Sequence, residues 1–169
     1  MALWIGPRGW ELATLDVSHI AEVAEQIARE AHHGQIDKAG QPYIGHVGRV
    51  AATVVPAEPI YIAAAWLHDV VEDTDSTLDS MVAEGFPSEV VEAVGLLTRR
   101  DEVPDEVYYE RIAANPVALA VKIADISDNT NPDRLARLDQ ETRARLIGKY
   151  RKALLALKRP ELAAGLGAS

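Results

Sequence analysis

The chain has 169 residues, 48% hydrophobic and 25% charged, which is enough for one sizeable core and too little for two comfortable domains. Its 17 Lys and Arg against 26 Asp and Glu leave a net charge of −9, which argues against holding a nucleic-acid polymer through bulk charge; any anionic ligand needs local help. With no cysteine, disulfides and thiolate chemistry are excluded, and a transition-metal site must be built from His, Asp and Glu. No window nears the roughly 18 apolar residues of a membrane span and the start lacks a secretory pattern, so a cytoplasmic protein without a membrane partner is expected.

The apolar spacing is helical almost everywhere, with no sustained period-two alternation, and predicts an all-α single-domain helical bundle over residues 1–169. The first helix is expected from Val17 to His33, with Ile20, Ala24, Ile27 and Ala31 on one stripe and Gly34 as its stop. Pro42 can open a second helix carrying Tyr43, His46, Val47 and Val50, closed by Pro56. A third, from Glu58 to Glu72, is so rich in Ala and apolar residues that it should run through the centre of the bundle. Ser76 is a candidate N-cap for a short helix to Glu84, and Pro87 starts another to Leu97. After the charged loop Arg99 to Glu102, Pro104 to Ala114 and the apolar Val117 to Ala124 read as helices. Pro132 begins a last long pattern that breaks near Asp139 and runs on to Leu157.

Chemistry concentrates at the end of the third helix. His68-Asp69 followed by Glu72-Asp73 puts four ionisable groups in six positions of an otherwise apolar segment, and on a continuous helix they share one broad flank. By itself this pattern also describes a helix end splaying charge into water. His46 lies among apolar neighbours, where a histidine is equally a hydrogen-bonded core residue, and Asp125 with Lys122 and Asn129 on its side is equally a helix-end cap. Together, His46, His68, Asp69 and Asp125 supply two imidazoles and two carboxylates, a donor set suited to Mn²⁺, Fe²⁺ or Zn²⁺.

The order H…HD…D resembles the signature of the HD phosphohydrolase superfamily. Ala31-His32-His33-Gly34-Gln35 with Gly40-Gln41-Pro42-Tyr43-Ile44-Gly45-His46, then LHDVVEDT over Leu67 to Thr74, then KxADxxxN from Lys122 to Asn129, are similar to blocks of the hydrolase domain of Rel/SpoT enzymes and of stand-alone small alarmone hydrolases. The similarity spans roughly Ala28 to Leu157, within a motif-bearing core of about 17–157. The resemblance implies Mn²⁺ held by His46, His68, Asp69 and Asp125, with Glu72 and Asp73 beside the attacking water. It implies cleavage of the 3′-pyrophosphate of ppGpp or pppGpp, a small-molecule nucleotide substrate. Lys38, Lys122 and Arg99 are then the candidate phosphate-binding cations, and Asn129 and Tyr150 the residues near the nucleoside.

The chain departs from that family in three places. Asp37 stands where an Arg usually precedes the lysine equivalent to Lys38, Val47 follows the first metal histidine in place of a Pro, and Thr130-Asn131-Pro132 differs from the usual form. These changes bear on the substrate more than on the reaction. An HD-type phosphatase acting on another nucleotide (an adenosine alarmone, a nucleoside monophosphate or NADPH) and a non-catalytic nucleotide sensor are the alternative readings.

Overall fold

The computed structural model describes residues 15–37 and 40–166, and among them the chain forms eleven helices and no strand. The all-α expectation holds. α1 (Ile20–Ala31) starts three residues later than its apolar pattern, because Asp16 organises a turn ahead of it. The Asp16 carboxylate accepts from the Ser18 N–H and the Asp16 carbonyl from the His19 N–H. Gly34, at φ 77°, turns the chain away after α1 as a left-handed stop.

α2 (Tyr43–Thr53) and α6 (Ser88–Leu97) begin immediately after Pro42 and Pro87, which stand as caps with extended ψ and not as first helical residues. α3 (Pro59–Leu67) carries five consecutive buried residues, Ala63 to Leu67, and packs against α1, α2, α6 and α8 (Pro116–Asn129). Small side chains at Ala63, Ala64 and Ala65 let neighbouring helices approach on several sides, which is why the most apolar segment is the central one.

The third helix does not continue to Glu72. It ends at Leu67, His68 and Asp69 form a turn, and α4 (Val70–Asp73) follows. The His68 ring hydrogen-bonds the Ala65 carbonyl at 2.7 Å, claiming an acceptor that the next turn of backbone would otherwise use. The short helix that follows, α5 (Leu78–Ala83), is capped by Thr77 and not by Ser76: Thr77 Oγ1 accepts from the Ser80 N–H while Ser80 Oγ accepts from the Thr77 N–H.

α7 (Asp105–Ala114) leads into α8, which Asn115 caps and which stays helical through Asp125 to Asn129. The break near Asp139 is present: α9 (Pro132–Leu135) is a single turn, and α10 (Gln140–Ala156) starts afresh with the Asp139 carboxylate accepting from the Thr142 N–H. α10 lies against α7 and α11 (Pro160–Gly165), forming an outer wall beside the central helices. No helix of the described residues is long and apolar enough to cross a membrane.

Candidate active site

α2, the α3–α4 turn and α8 meet where His46, His68, Asp69 and Asp125 project. His46, His68 and Asp69 each offer one ligand atom, all within 4.8 Å of one another. Asp125 borders that group through His46, whose Nε2 lies 3.4 Å from Asp125 Oδ1 and 3.9 Å from Asp69 Oδ2. Both imidazoles are buried and both are tied through Nδ1, His68 to the Ala65 carbonyl and His46 to Asp128 Oδ2 at 2.7 Å. With Nδ1–H donating in each ring, each Nε2 faces inward, where the neutral form of the ring offers a lone pair. His68 Nε2 is 2.8 Å from Asp69 Oδ2 but out of line for a hydrogen bond, and is a buried nitrogen with no hydrogen-bond partner.

Electrostatics point the same way. Burial pushes the pKa of His68 down, yet the Asp69 carboxylate outweighs it and holds the imidazole up at about 9. His46 is likewise raised, because Asp125 and Asp128 overcome its burial. Without a cation among them, the two rings themselves take up the charge that the carboxylates demand. A divalent ion supplies that charge while leaving the rings neutral, so the donor set fits a metal.

Asp125 is held from both sides of its own helix. Lys122 Nζ sits 3.0 Å from Oδ2 and Asn129 Nδ2 donates to Oδ1 at 2.6 Å, the one-turn spacings the sequence suggests. Burial raises the Asp125 carboxyl, but Lys122 and the two histidines more than reverse this and keep it ionised; Lys122 in turn is held protonated by Asp125 against its own burial.

Glu72 and Asp73 both face the same cleft. Burial is the first cause that lifts each above the usual carboxylate range, with the negative charge of Asp69 adding to it. Glu72 Oε2 accepts from the Arg99 backbone N–H at 2.7 Å, and the Asp73 carbonyl accepts from Gln35 Nε2 at 3.0 Å. Tyr43 reaches Asp69 Oδ2 with its hydroxyl at 2.5 Å.

The cleft has two lobes that share Asp69, Glu72, Lys122 and Asp125. One, of about 440 Å³, extends past Asn129 to Asp37 and Arg134; the other, of about 550 Å³, runs towards Arg99 and Tyr109, and Tyr150 on α10 borders both. The Tyr150 hydroxyl is pushed up to about 12, by burial first, so it stays a neutral hydrogen-bonding group. The Arg99 guanidinium is engaged by Asp105 and lies over the Tyr108 ring, 4.6 Å from its centroid, so within its lobe it is already paired. Lys38 lies outside the described residues.

Sequence reasoning misses the support around His46. Asp128 accepts from His46 Nδ1, from Arg49 Nε at 2.6 Å and from Arg134 Nη1 at 2.5 Å, and Arg134 Nη2 also reaches Asp37 Oδ2 at 3.3 Å. The available signal was position: Asp128 is one turn beyond Asp125 on α8, so the two carboxylates share a face. Tyr43 and Gln35 stand inside motif blocks but carry no role until the geometry shows their partners.

A family model described as HD domain matches residues 24–160. The guanosine-3′,5′-bis(diphosphate) 3′-pyrophosphohydrolase of Haemophilus influenzae is 32% identical over 69% of this chain and 20% of its own length. The bifunctional (p)ppGpp synthase/hydrolase SpoT of Escherichia coli is 31% identical over 69% of this chain and 19% of its own. The chain therefore spans about a fifth of the length of these curated relatives. Among solved structures, one described as a metazoan ortholog of SpoT that hydrolyzes ppGpp superposes with a TM-score of 0.70 at 26% identity, covering 91% of this chain and 99% of that one. With a family match that runs from α1 into α11 and a helical frame that brings the H…HD…D residues to one cleft, the chain belongs to the HD domain family.

Proposed function

We propose that this chain is a divalent-metal-dependent hydrolase of the 3′-pyrophosphate of (p)ppGpp, yielding GDP or GTP and pyrophosphate. The observation that carries this reading is the pair of buried imidazoles, each tied back through Nδ1 and each turning Nε2 towards Asp69, beside two carboxylates whose pKa values are raised. The names of the relatives and of the similar solved structure supply the substrate class.

In this reading His46, His68, Asp69 and Asp125 would hold Mn²⁺ or another divalent transition metal. Such an ion lowers the pKa of water and offsets the negative charge that a polyphosphate brings into a chain of net charge −9. Glu72 and Asp73, lifted by burial, accept the proton of the attacking water and return one to the leaving oxygen. Water adds at the phosphorus attached to O3′, the O3′–P bond breaks, O3′ leaves as the ribose hydroxyl, and pyrophosphate departs. Lys122, charged and next to Asp125, faces the phosphates; Asn129 and Tyr150 border the sugar, with Arg99 and Lys38 completing the cationic set. The partner is a small nucleotide and not a nucleic-acid polymer, which accords with a cytoplasmic enzyme.

The test is turnover of ppGpp by metal-stripped protein with and without added Mn²⁺, resolving nucleotides and assaying pyrophosphate and orthophosphate separately. GDP with pyrophosphate, only when metal is present, is the expected result; orthophosphate release or no turnover overturns the assignment. In the same assay Glu72→Gln and Asp73→Asn keep stoichiometric metal and lose about 10²- to 10⁴-fold in turnover. Near-normal rates in both would remove the proton-transfer role.

A further inference from the structure

α4 carries both proposed proton-transfer carboxylates on a single turn of four residues, too short to keep its own shape in water. What fixes it must come from outside the turn. Glu72 is held by its own side chain, since Oε2 accepts from the Arg99 N–H at 2.7 Å. Asp73 is held through its main chain: its carbonyl accepts at 3.0 Å from Gln35 Nε2, a residue 38 positions away. The chain leaves α4 at Thr74 in an extended conformation, φ −140° and ψ −179°, and no left-handed residue follows to close the turn. Gln35 therefore supplies a donor to a terminal carbonyl that the helix itself leaves open.

Gln35 is bonded on every side. Its N–H donates to the His32 carbonyl at 3.1 Å, its carbonyl accepts from the Tyr43 N–H at 2.9 Å, and its Oε1 lies 2.8 Å from His32 Nδ1. The orientation of the amide follows from these partners. A main-chain carbonyl can only accept, so Asp73 must face Nε2; Oε1 then faces His32, and His32 Nδ1 must carry the proton. The other nitrogen of that ring, Nε2, is buried with no hydrogen-bond partner, on a side chain 1% exposed whose ring centroid lies 5.1 Å from that of Tyr43. An acceptor left unpaired in the interior is a standing cost, and the ring bears it while its opposite edge fixes the Gln35 amide.

We propose that Gln35 is a positioning residue for Asp73: through the Asp73 carbonyl it sets where α4 ends, and the buried His32 ring holds the Gln35 amide in the orientation that does so. A carboxylate that takes and returns a proton is best placed through its backbone, because its oxygens then stay available to the cleft it lines. This inference rests on the hydrolase reading, in which Asp73 moves a proton.

The experiment is steady-state kinetics of the Mn²⁺-loaded protein on ppGpp, with rates normalised to bound metal, for wild type, Gln35→Met, Asp73→Asn and the double variant, each checked for native helical content. Met keeps the length of the side chain and loses both of its bonds. Gln35→Met should lower kcat by about 10- to 100-fold while KM and Mn²⁺ affinity stay within about 2-fold of wild type, because the end of α4 shifts and the binding groups do not. In the Asp73→Asn background the same change should cost less than about 2-fold, since the carboxylate it positions is already gone. Gln35→Glu keeps an acceptor for His32 but sets a carboxylate against the Asp73 carbonyl, and should lose at least as much as Gln35→Met. ¹⁵N NMR of the His32 ring needs no substrate, and in wild type Nδ1 should carry the proton.

A kcat for Gln35→Met or Gln35→Glu equal to wild type overturns the proposal, as does a His32 ring protonated at Nε2. So does an equal loss with and without the Asp73 carboxylate, or a loss confined to KM or to bound Mn²⁺, either of which would make Gln35 a tie between α1 and α4 and nothing more. The two failures are distinct. A wild type that releases no pyrophosphate from ppGpp fails the hydrolase reading and takes this proposal with it, whereas normal wild-type turnover with an unchanged Gln35→Met fails this proposal alone.

Discussion

Asp128 governs how His46 meets the cleft. Its Oδ2 fixes the Nδ1–H tautomer at 2.7 Å, and against its burial the His46 hydrogen bond first, then Arg49 and Arg134 on the same carboxylate, keep it ionised and draw its pKa down to about 2. A neutral amide in that place still accepts a hydrogen bond but no longer raises the basicity of the ring. Asp128→Asn should therefore weaken Mn²⁺ binding by about 10- to 100-fold, measured by equilibrium dialysis, with helical content unchanged; unaltered affinity would mean that α2 alone orients His46. The meeting of His46, His68, Asp69 and Asp125 is legible in the sequence, because ionisable residues inside apolar helical runs call for a partner. The Asp128 network is not, since two of its bonds join positions 79 and 82 residues apart and Arg49, Asp128 and Arg134 each read as ordinary surface charge. Asp37 shows the same limit: as a letter it is an anion where a cation is expected, and only the fold shows that it holds Arg134.

Elements whose ends are marked by Pro, Gly or a cap residue are the ones the sequence locates to within a few residues, as for α1, α6, α10 and the start of α8, whose far end runs five residues past the apolar stretch to Asn129. The break between α3 and α4 carries no such mark. Apolar and charged periodicity run straight through it, and the cause is a side chain, His68, taking the Ala65 carbonyl. The consequence is functional: the turn gives His68 and Asp69 their own orientation, which a continuous helix would have tied to a strict 3.6-residue spacing. A similar competition separates Ser76 from Thr77. Ser76 gives its N–H to Thr74 Oγ1 and so belongs to the preceding turn, leaving Thr77 to form the reciprocal pair with Ser80. Thr77→Ala should lower unfolding free energy in urea by about 0.5 to 2 kcal/mol, and Ser76→Ala by less than about 0.5 kcal/mol. The reverse order would move the cap back to Ser76. Because α5 packs on α6 and supplies none of the grouped His and Asp side chains, neither variant should alter metal binding.

At the scale of the whole molecule the proposed site is a junction, since the atoms proposed to hold the metal come from α2, from the α3–α4 turn and, with Asp125, from α8, three parts of the chain that only folding brings together. The unfolded chain has no such arrangement, so metal binding is linked to folding by mass action. Free Mn²⁺ at a hundred times its dissociation constant should add about 2.7 kcal/mol to unfolding, which for a chain of this size raises Tm by about 5 to 11 °C. Calorimetric scans with and without Mn²⁺ measure this directly, and Asp69→Ala should abolish the shift whatever it does to Tm in the metal-free state. Mg²⁺ at the same concentration should give a much smaller shift, because two imidazole nitrogens are poor ligands for a hard cation. An equal shift with Mg²⁺, or one that survives Asp69→Ala, would place the stabilising ion elsewhere on this acidic chain. The pairing of a large Mn²⁺ shift in wild type with none in Asp69→Ala would tie the ion to the helix junction, where the Asp69 carboxylate meets two imidazoles whose Nε2 atoms face inward.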